Sequence, residues 1–581
     1  MVEQHTNSSR HTATARHTAT ARPTDYDAIV IGSGAGGLAS ALCLARAGQR
    51  VLVLEQHYLP GGWCHSFPLE GFLFSPGVHY IGQLQEGGAV RELYEKLGVA
   101  DHLTFLELNP EGYDRVIVGN ERFDIPAGRA RYEAKLAERF PAERRGIAGF
   151  LEAVDRIGQE LEGGTGVRNL GDLMRLPGRI PTLARLGFRS LTSVFDKFGI
   201  QDPLLRTILG AQSGDHGMPP DRAAFVLHAA IMHHYFEGGW YPKGGGRSLP
   251  KAFIKELRAH GGKIQMQASV DRILTEGNGK SRRAVAVQLE DGTTISAPVI
   301  ISNADPEATF AGMVGEEHLS RGLRRKLRKS TYSISALSLF LGVDMDIRAA
   351  GLDSGNVWYY GAPDLQNAYE VREKGLPNGP VDSLFLTATT LKDRTKRTDG
   401  LHTLEAFTFV PWKPFRQWEA SRYGERTADY EATKAEITNH MFAGIERVVP
   451  GLREHVVFEA LGTPLTNRHY VASTDGNIYG TEKRRLQLGP FSMRPTTEID
   501  GLYLCGASTS SHGVVGAMLS GVSAACRALG CRRRDVLTGT GTLRTEPCEP
   551  PADGSESTEG STADRPLAAS PAEATAEAVY A

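Results

Sequence analysis

An apolar stretch, Asp27-Ala-Ile-Val-Ile31, runs directly into Gly32-Ser-Gly34-Ala-Gly36-Gly37 and then into a helical pattern from Leu38 to Ala47. A second apolar stretch, Val51 to Leu54, follows and ends in an acid, Glu55, 23 positions after Gly32. Strand, glycine-rich turn, helix and strand within about 30 residues make a complete βαβ unit, which dictates a Rossmann-type α/β fold at the amino terminus. Each fingerprint glycine has a mechanical task. Gly32 permits the tight turn, Gly34 lets the backbone approach a pyrophosphate, and Gly37 allows close helix–strand packing. Ala35 and Gly36 open the helix, whose free N–H groups and positive dipole end favour an anion. Glu55, followed by Gln56, is placed to accept hydrogen bonds from adenosine ribose hydroxyls. The unit by itself does not separate FAD from NAD.

Composition narrows the classes that remain. Glycine is in excess, 66 of 581 residues, and it gathers in clusters, as expected where a backbone comes close to a ligand. Lys plus Arg number 65 against 67 for Asp plus Glu, so there is no basic excess to hold nucleic acid. No run approaches the roughly 20 apolar residues of a spanning helix. The six cysteines are scattered without a CxxC pair, which argues against a zinc site or a disulfide framework and fits a reducing cytoplasm.

Residues 1–24, with the tandem HTATAR, and 533–581, rich in Pro, Ser, Thr, Ala and Glu, are expected to be disordered by composition. Between them, Lys263 to Gln267, Val270 to Thr275, Ala284 to Glu290 and Thr293 to Ile301 form a small strand-rich section with Asp291-Gly292 as a hairpin turn. Gly501-Leu-Tyr-Leu-Cys-Gly506 is a strand, and Gly513 to Leu529 a helix of small residues.

Beyond Glu55 come Gly61-Gly62-Trp63-Cys64-His65-Ser66-Phe67 and Gly77-Val-His79-Tyr80-Ile-Gly82. With Gly238-Gly-Trp240-Tyr241-Pro242-Lys-Gly244-Gly245, Thr463-Pro-Leu-Thr-Asn467 and the strand and helix near the end, these motifs resemble the flavin-containing phytoene desaturase and carotenoid isomerase superfamily, relatives of the amine oxidases. They are most similar to its retinol saturase branch. The resemblance implies a discontinuous FAD domain built from 25–100, 243–310 and 460–532, into which an α+β substrate domain, 101–242 and 311–459, is inserted. It implies FAD held also by Gly61, Gly62, Val270, Gly506, Gly513, Val514 and Val515. The chain departs from many relatives at Trp63, where they carry Arg, and at Ser75, where they carry an acid.

His79 and Tyr80 lie in the segment that in this family runs towards the flavin ring, so they are the candidate proton-handling residues. Trp240 and Tyr241 are candidates for an apolar substrate channel. His233 and His234 lack a third partner at ligating spacing, so no metal site is expected. From Leu173 to Phe195 the only charges are arginines; Leu183, Leu186, Leu191 and Val194 fall on one helical face, the pattern of a helix lying on a membrane surface.

The expectation is an FAD-dependent oxidoreductase that reduces a double bond of an apolar polyene or isoprenoid, using a separate electron donor. It would work in the cytoplasm, in contact with a membrane surface. Desaturation, cis–trans isomerisation or action on a polyene acyl chain are alternatives. A non-catalytic prenyl-lipid escort on the same fold is a rival of another class, against which the intact fingerprint and Glu55 count.

Overall fold

A computed structural model describes residues 24–163, 178–397 and 399–548. The disorder expected of 1–23 and 549–581, and the start of the Leu173–Phe195 stretch, lie outside these residues.

Ala28–Ile31 and Val51–Leu54 pair in parallel, and Ala35–Arg46 is the helix between them. Three distant strands complete a five-stranded sheet in the order Leu502–Leu504, Val299–Ser302, Ala28–Ile31, Val51–Leu54 and Lys263–Gln265, all parallel. Apolar residues fill both sides of the central strands because both faces are covered. Ala28 and Val30 pack towards the helices Ala35–Arg46, Ser248–Ala259 and Gly513–Leu529. Ile29 and Ile31 point the other way, onto a three-stranded antiparallel sheet of Val270–Glu276, Arg283–Leu289 and Thr294–Ser296. The first and last helices meet at glycine: a Cβ on Gly521 would lie 2.0 Å from the Gly36 carbonyl oxygen.

A seven-stranded sheet stands beside this unit, its order Val456–Gly462, Ser335–Val343, His402–Val410, Ser383–Ala388, Asn356–Tyr360, Asp114–Val118 and Glu121–Ile125. Val116, Trp358 and Phe385 face a helical layer that includes Arg144–Glu162 and Phe225–Tyr235. Val357, Leu384 and Leu386 face the helix Ala428–Ile445.

Several expectations are corrected. Lys263–Gln265 belongs to the parallel sheet rather than to the small antiparallel one, and Thr293 to Ile301 is two strands. Pro298, which has no N–H to donate, sits between them. The divisions at 310 and 459 fall inside ordered elements: Phe310, Met313, Val314 and Leu327 pack on the parallel sheet, while Val456–Gly462 pairs with the larger one. Residues 533–548, assigned by composition to the tail, are ordered; Arg544–Pro547 pairs in parallel with Thr104–Glu107, and Val536, Leu543 and Cys548 are buried.

The arginine-rich stretch is not one amphipathic helix. Pro181–Leu186 and Leu191–Phe198 are separate helices, and between them Ser190 bridges to Ala224. Leu183, Leu186, Leu191 and Val194 are all buried against the helical layer, so the face that would meet lipid is occupied by the protein itself. Among the described residues, no helix is long and apolar enough to cross a membrane. Among the described residues, Cys43, Cys64, Cys505, Cys526 and Cys531 are free thiols.

Candidate active site

The glycine turn is shaped by what a side chain would strike. Gly32 has φ +88°, open to glycine without strain. A Cβ on Gly34 would meet Asn303 Nδ2 at 2.6 Å, and one on Gly36 would lie 2.9 Å from both Ala517 O and Gly506 N. On Gly37 it would lie 2.0 Å from Gly32 O, so this glycine serves packing and does not face the ligand side. Glu55 is buried and ties the turn together. Its Oε2 accepts from Ser33 N at 2.8 Å and Ser33 Oγ at 2.6 Å, its Oε1 from His57 N at 2.9 Å, and Ser33 Oγ in turn accepts from Gly61 N at 2.9 Å. Gly61 and Gly62 both take positive φ, so the second glycine pair is held as a tight turn against the first.

This cradle opens into a cavity of about 1330 Å³. Gly32, Gly34, Ala35, Gly36, Glu55, Gln56, Gly61, Gly62, Val270, Gly506, Gly513, Val514 and Val515 all line it, as do His79 and Tyr80. Gly513 starts a helix with no side-chain cap and no acid in its first turn, leaving N–H groups and the positive dipole end for a ligand. Trp240 and Tyr241 are not in the wall. They form the strand Trp240–Pro242, paired antiparallel with Thr104–Glu107, and both are buried as structural aromatics.

The wall beyond the cradle holds a cluster of ionisable groups. Tyr80 stacks on Tyr235 with centroids 4.1 Å apart, which aims its hydroxyl between two carboxyls, 3.0 Å from Asp215 Oδ2 and 3.1 Å from Asp114 Oδ2. Asp114 also accepts from Asn356 Nδ2 at 2.9 Å and Gln212 Nε2 at 3.0 Å. Lys392, on the neighbouring segment, donates to Asn356 Oδ1 at 2.6 Å and to the His79 carbonyl at 2.7 Å. Burial dominates their titration. It raises Asp114 to about 6, opposed by its hydrogen bonds, and lowers Lys392 to about 7. Burial and then the charge of Asp114 raise Asp215 to about 8. The Tyr80 phenol is pushed well above its ordinary range by burial and both carboxyls.

His79 Nδ1 lies 3.4 Å from Glu405 Oε2, and burial holds the imidazole below its ordinary value against the pull of that carboxylate. Glu405 Oε1 accepts from Ser75 N at 2.8 Å, so a carboxylate reaches the Ser75 position from another strand. His233 and His234 also line the cavity; His234 Nε2 accepts from Gly82 N at 2.8 Å. Among the described residues, no three His, Cys, Asp or Glu side chains gather as a metal site.

The residues fit a flavin dinucleotide. Side chains at Gly34 and Gly36 would fill the cradle, and the cavity exceeds the roughly 300–1,000 Å³ of an ordinary small-ligand site. Among the described residues, His65 Nε2 and His512 Nδ1, on two lining residues, are buried without a hydrogen-bond partner. Residues 35–381 match the flavin containing amine oxidoreductases. The chain belongs to that family. It is 30% identical over 521 residues to an all-trans-retinol 13,14-reductase of Danio rerio, covering 85% of this chain and 84% of the relative. It is 29% identical over 540 residues to a chloroplastic prolycopene isomerase of Daucus carota, covering 90% and 83%. The fold is that of cyclohexylamine oxidase from Brevibacterium oxydans, with a TM-score of 0.54 at 17% identity, covering 89% of this chain and 99% of that one.

Membership of the amine oxidoreductase family makes the cofactor a flavin and the protein an oxidoreductase. Several candidate functional residues escaped the reading of the sequence. Asn303 packs under Gly32, Gly34, Gly36 and Gly506, directly after the strand Val299–Ser302, where strand ends in such sheets meet ligands. That position is a usable signal. Asp114, Asp215, Lys392 and Glu405 carry no motif and come together only through the tertiary fold.

Proposed function

We propose that this oxidoreductase carries FAD and reduces a carbon–carbon double bond of a conjugated apolar polyene or isoprenoid. The observation that carries the reading is one continuous cavity: the glycine cradle and Glu55 form one part of its lining, and Leu93, Leu227, Ala230, Ile231 and Phe407 supply apolar wall elsewhere. A polar dinucleotide and a long apolar substrate thus share a single chamber. The names of the relatives, a retinol reductase and a prolycopene isomerase, support the substrate class.

Bound FAD supplies a hydride equivalent to one carbon of the double bond. The chain's own residues do the rest. Glu55 and the glycine turns would hold the adenosine diphosphate half, and the uncapped N–H groups at Gly513 would stabilise negative charge on the bound group. The apolar walls exclude water. The second carbon needs a proton, and it must come from the wall that carries His79, Tyr80 and Asp215. A separate donor would supply the two electrons that the reaction consumes.

Anaerobic turnover of candidate polyenes, with mass analysis of the product, tests the proposal. A product two hydrogens heavier is expected. Unchanged mass would make the enzyme an isomerase, and a loss of two hydrogens would make it a desaturase.

A further inference from the structure

We propose that Asp215 is the proton donor of this reaction, and that Tyr80 and Asp114 are positioning residues that keep it protonated. The inference rests on the reductase reading above and deepens it.

The argument begins with counting hydrogens. The Tyr80 hydroxyl carries one hydrogen and stands within hydrogen-bond distance of two carboxyl oxygens, 3.0 Å from Asp215 and 3.1 Å from Asp114. One hydrogen cannot bridge both gaps, so the second requires a proton on a carboxyl. The surroundings decide which. Asp114 receives N–H donors from Asn356 and Gln212, and Lys392 stands behind Asn356, so its environment suits an anion. Among the described residues, the Asp215 carboxyl has no hydrogen-bond partner except Tyr80. The arrangement is therefore Asp215–OH donating to the Tyr80 oxygen, and Tyr80–OH donating to the Asp114 carboxylate.

Asp215 is also the one acid of the pair that reaches the substrate. It lines the cavity, and Asp114 does not. It keeps part of its surface open there, while protein encloses it elsewhere. The other groups that face it cannot displace it as donor. From the carboxyl-terminal segment, His512 Nε2 meets the Asp215 carbonyl at 2.9 Å, and burial together with the Lys483 charge lowers its imidazole to about 4. Burial and then the neighbouring imidazoles hold His216 well below its usual value. Burial above all raises Tyr235, Tyr360, Tyr369 and Tyr479, so these phenols hold their protons more tightly than a carboxyl does. Burial and Asp114 raise Asp215 to about 8, which keeps an acid available at neutral pH.

The step balances. The Asp215 O–H bond breaks and a C–H bond forms at one carbon. The other carbon takes hydride from the reduced flavin, which is thereby oxidised and later re-reduced by the external two-electron donor. Asp215 recovers its proton from water as the product leaves.

The FAD-loaded protein and its Asp215→Asn variant test this in two ways. In single turnover of pre-reduced enzyme, the variant should keep FAD and polyene binding while reduction slows by about 10²-fold or more, the lower range for loss of a general acid. Independently, pH-difference infrared spectra of wild type with ¹³C-labelled aspartate should show a buried protonated carboxyl at neutral pH, titrating near 8 and absent from Asp215→Asn. Equal turnover rates, or a wild type without that band, would overturn the assignment. A wild type whose product is not two hydrogens heavier would instead overturn the reductase reading.

Discussion

The cradle and the reactive wall sit in one cavity and are built from different materials. The cradle is backbone: Gly32, Gly34, Gly36, Gly61 and Gly62 contribute amide groups and the absence of a Cβ, and Glu55 clips them together. The wall is side chain: Tyr80, Asp114, Asp215, Asn356 and Lys392 come from separate segments and hold one another by hydrogen bonds. A backbone site fails as a whole when one position gains atoms. A side-chain network loses one property at a time, so variants of the wall should keep the cofactor while changing the chemistry.

The largest effect should come from Gly34→Val. Its Cβ starts 2.6 Å from Asn303 Nδ2, and the branched side chain would fill the space left for the pyrophosphate, so the purified protein should be colourless. A yellow Gly34→Val protein would break the distinction at its root. Glu55→Gln should weaken FAD binding by about 10-fold, since bonds to a charged acceptor are worth roughly 1.5–3 kcal/mol and the amide keeps only one accepting oxygen. Fluorescence titration of the apoprotein measures this.

Asp114→Asn should leave FAD affinity unchanged and move a pH profile instead. The Asp114 charge is one cause of the raised Asp215 value. Removing it lowers the Asp215 pKa, so activity that needs the protonated acid should disappear at lower pH as pH rises. An unmoved basic limb would count against coupling across Tyr80. The smallest effect is expected from Tyr241→Phe. The hydroxyl accepts from Lys396 Nζ at 2.9 Å but lies outside the cavity, so stability should fall by about 1–3 kcal/mol while KM for the polyene stays constant. Denaturant unfolding and steady-state kinetics separate the two outcomes.

The same contrast explains what was legible in the sequence. Glycine is written into the cradle where its backbone needs positive φ or close approach, so Gly32, Gly34, Gly37 and Glu55 announce the cradle within one βαβ unit. Nothing local marks Asp215, because its meaning arises only when Tyr80 and Asp114 arrive beside it. Periodicity failed differently in the arginine-rich stretch. A helical apolar face looks the same whether lipid or protein covers it, and here Leu186 and Val194 are fully buried in the helical layer. Trp240 and Tyr241 repeat the lesson for aromatics, which serve a buried strand as readily as a channel. Composition averaged over 533–581 also hid a short ordered segment anchored by Val536, Leu543 and Cys548.

The order of strands in the parallel sheet sets a timetable for synthesis. Ala28–Ile31 leaves the ribosome early, yet its neighbour Val299–Ser302 comes from the middle of the chain, and the far edge, Leu502–Leu504, from near its end. At about 5–20 residues per second, the interval between Ile31 and Leu502 is roughly 20–90 s. For about the first half of that interval, until Val299–Ser302 is made, the first βαβ unit exposes an apolar strand edge without its partner, and throughout it the helix Gly513–Leu529 that completes the flavin chamber has not yet been made. The flavin chamber therefore cannot close around its cofactor until Gly513–Leu529 has been made.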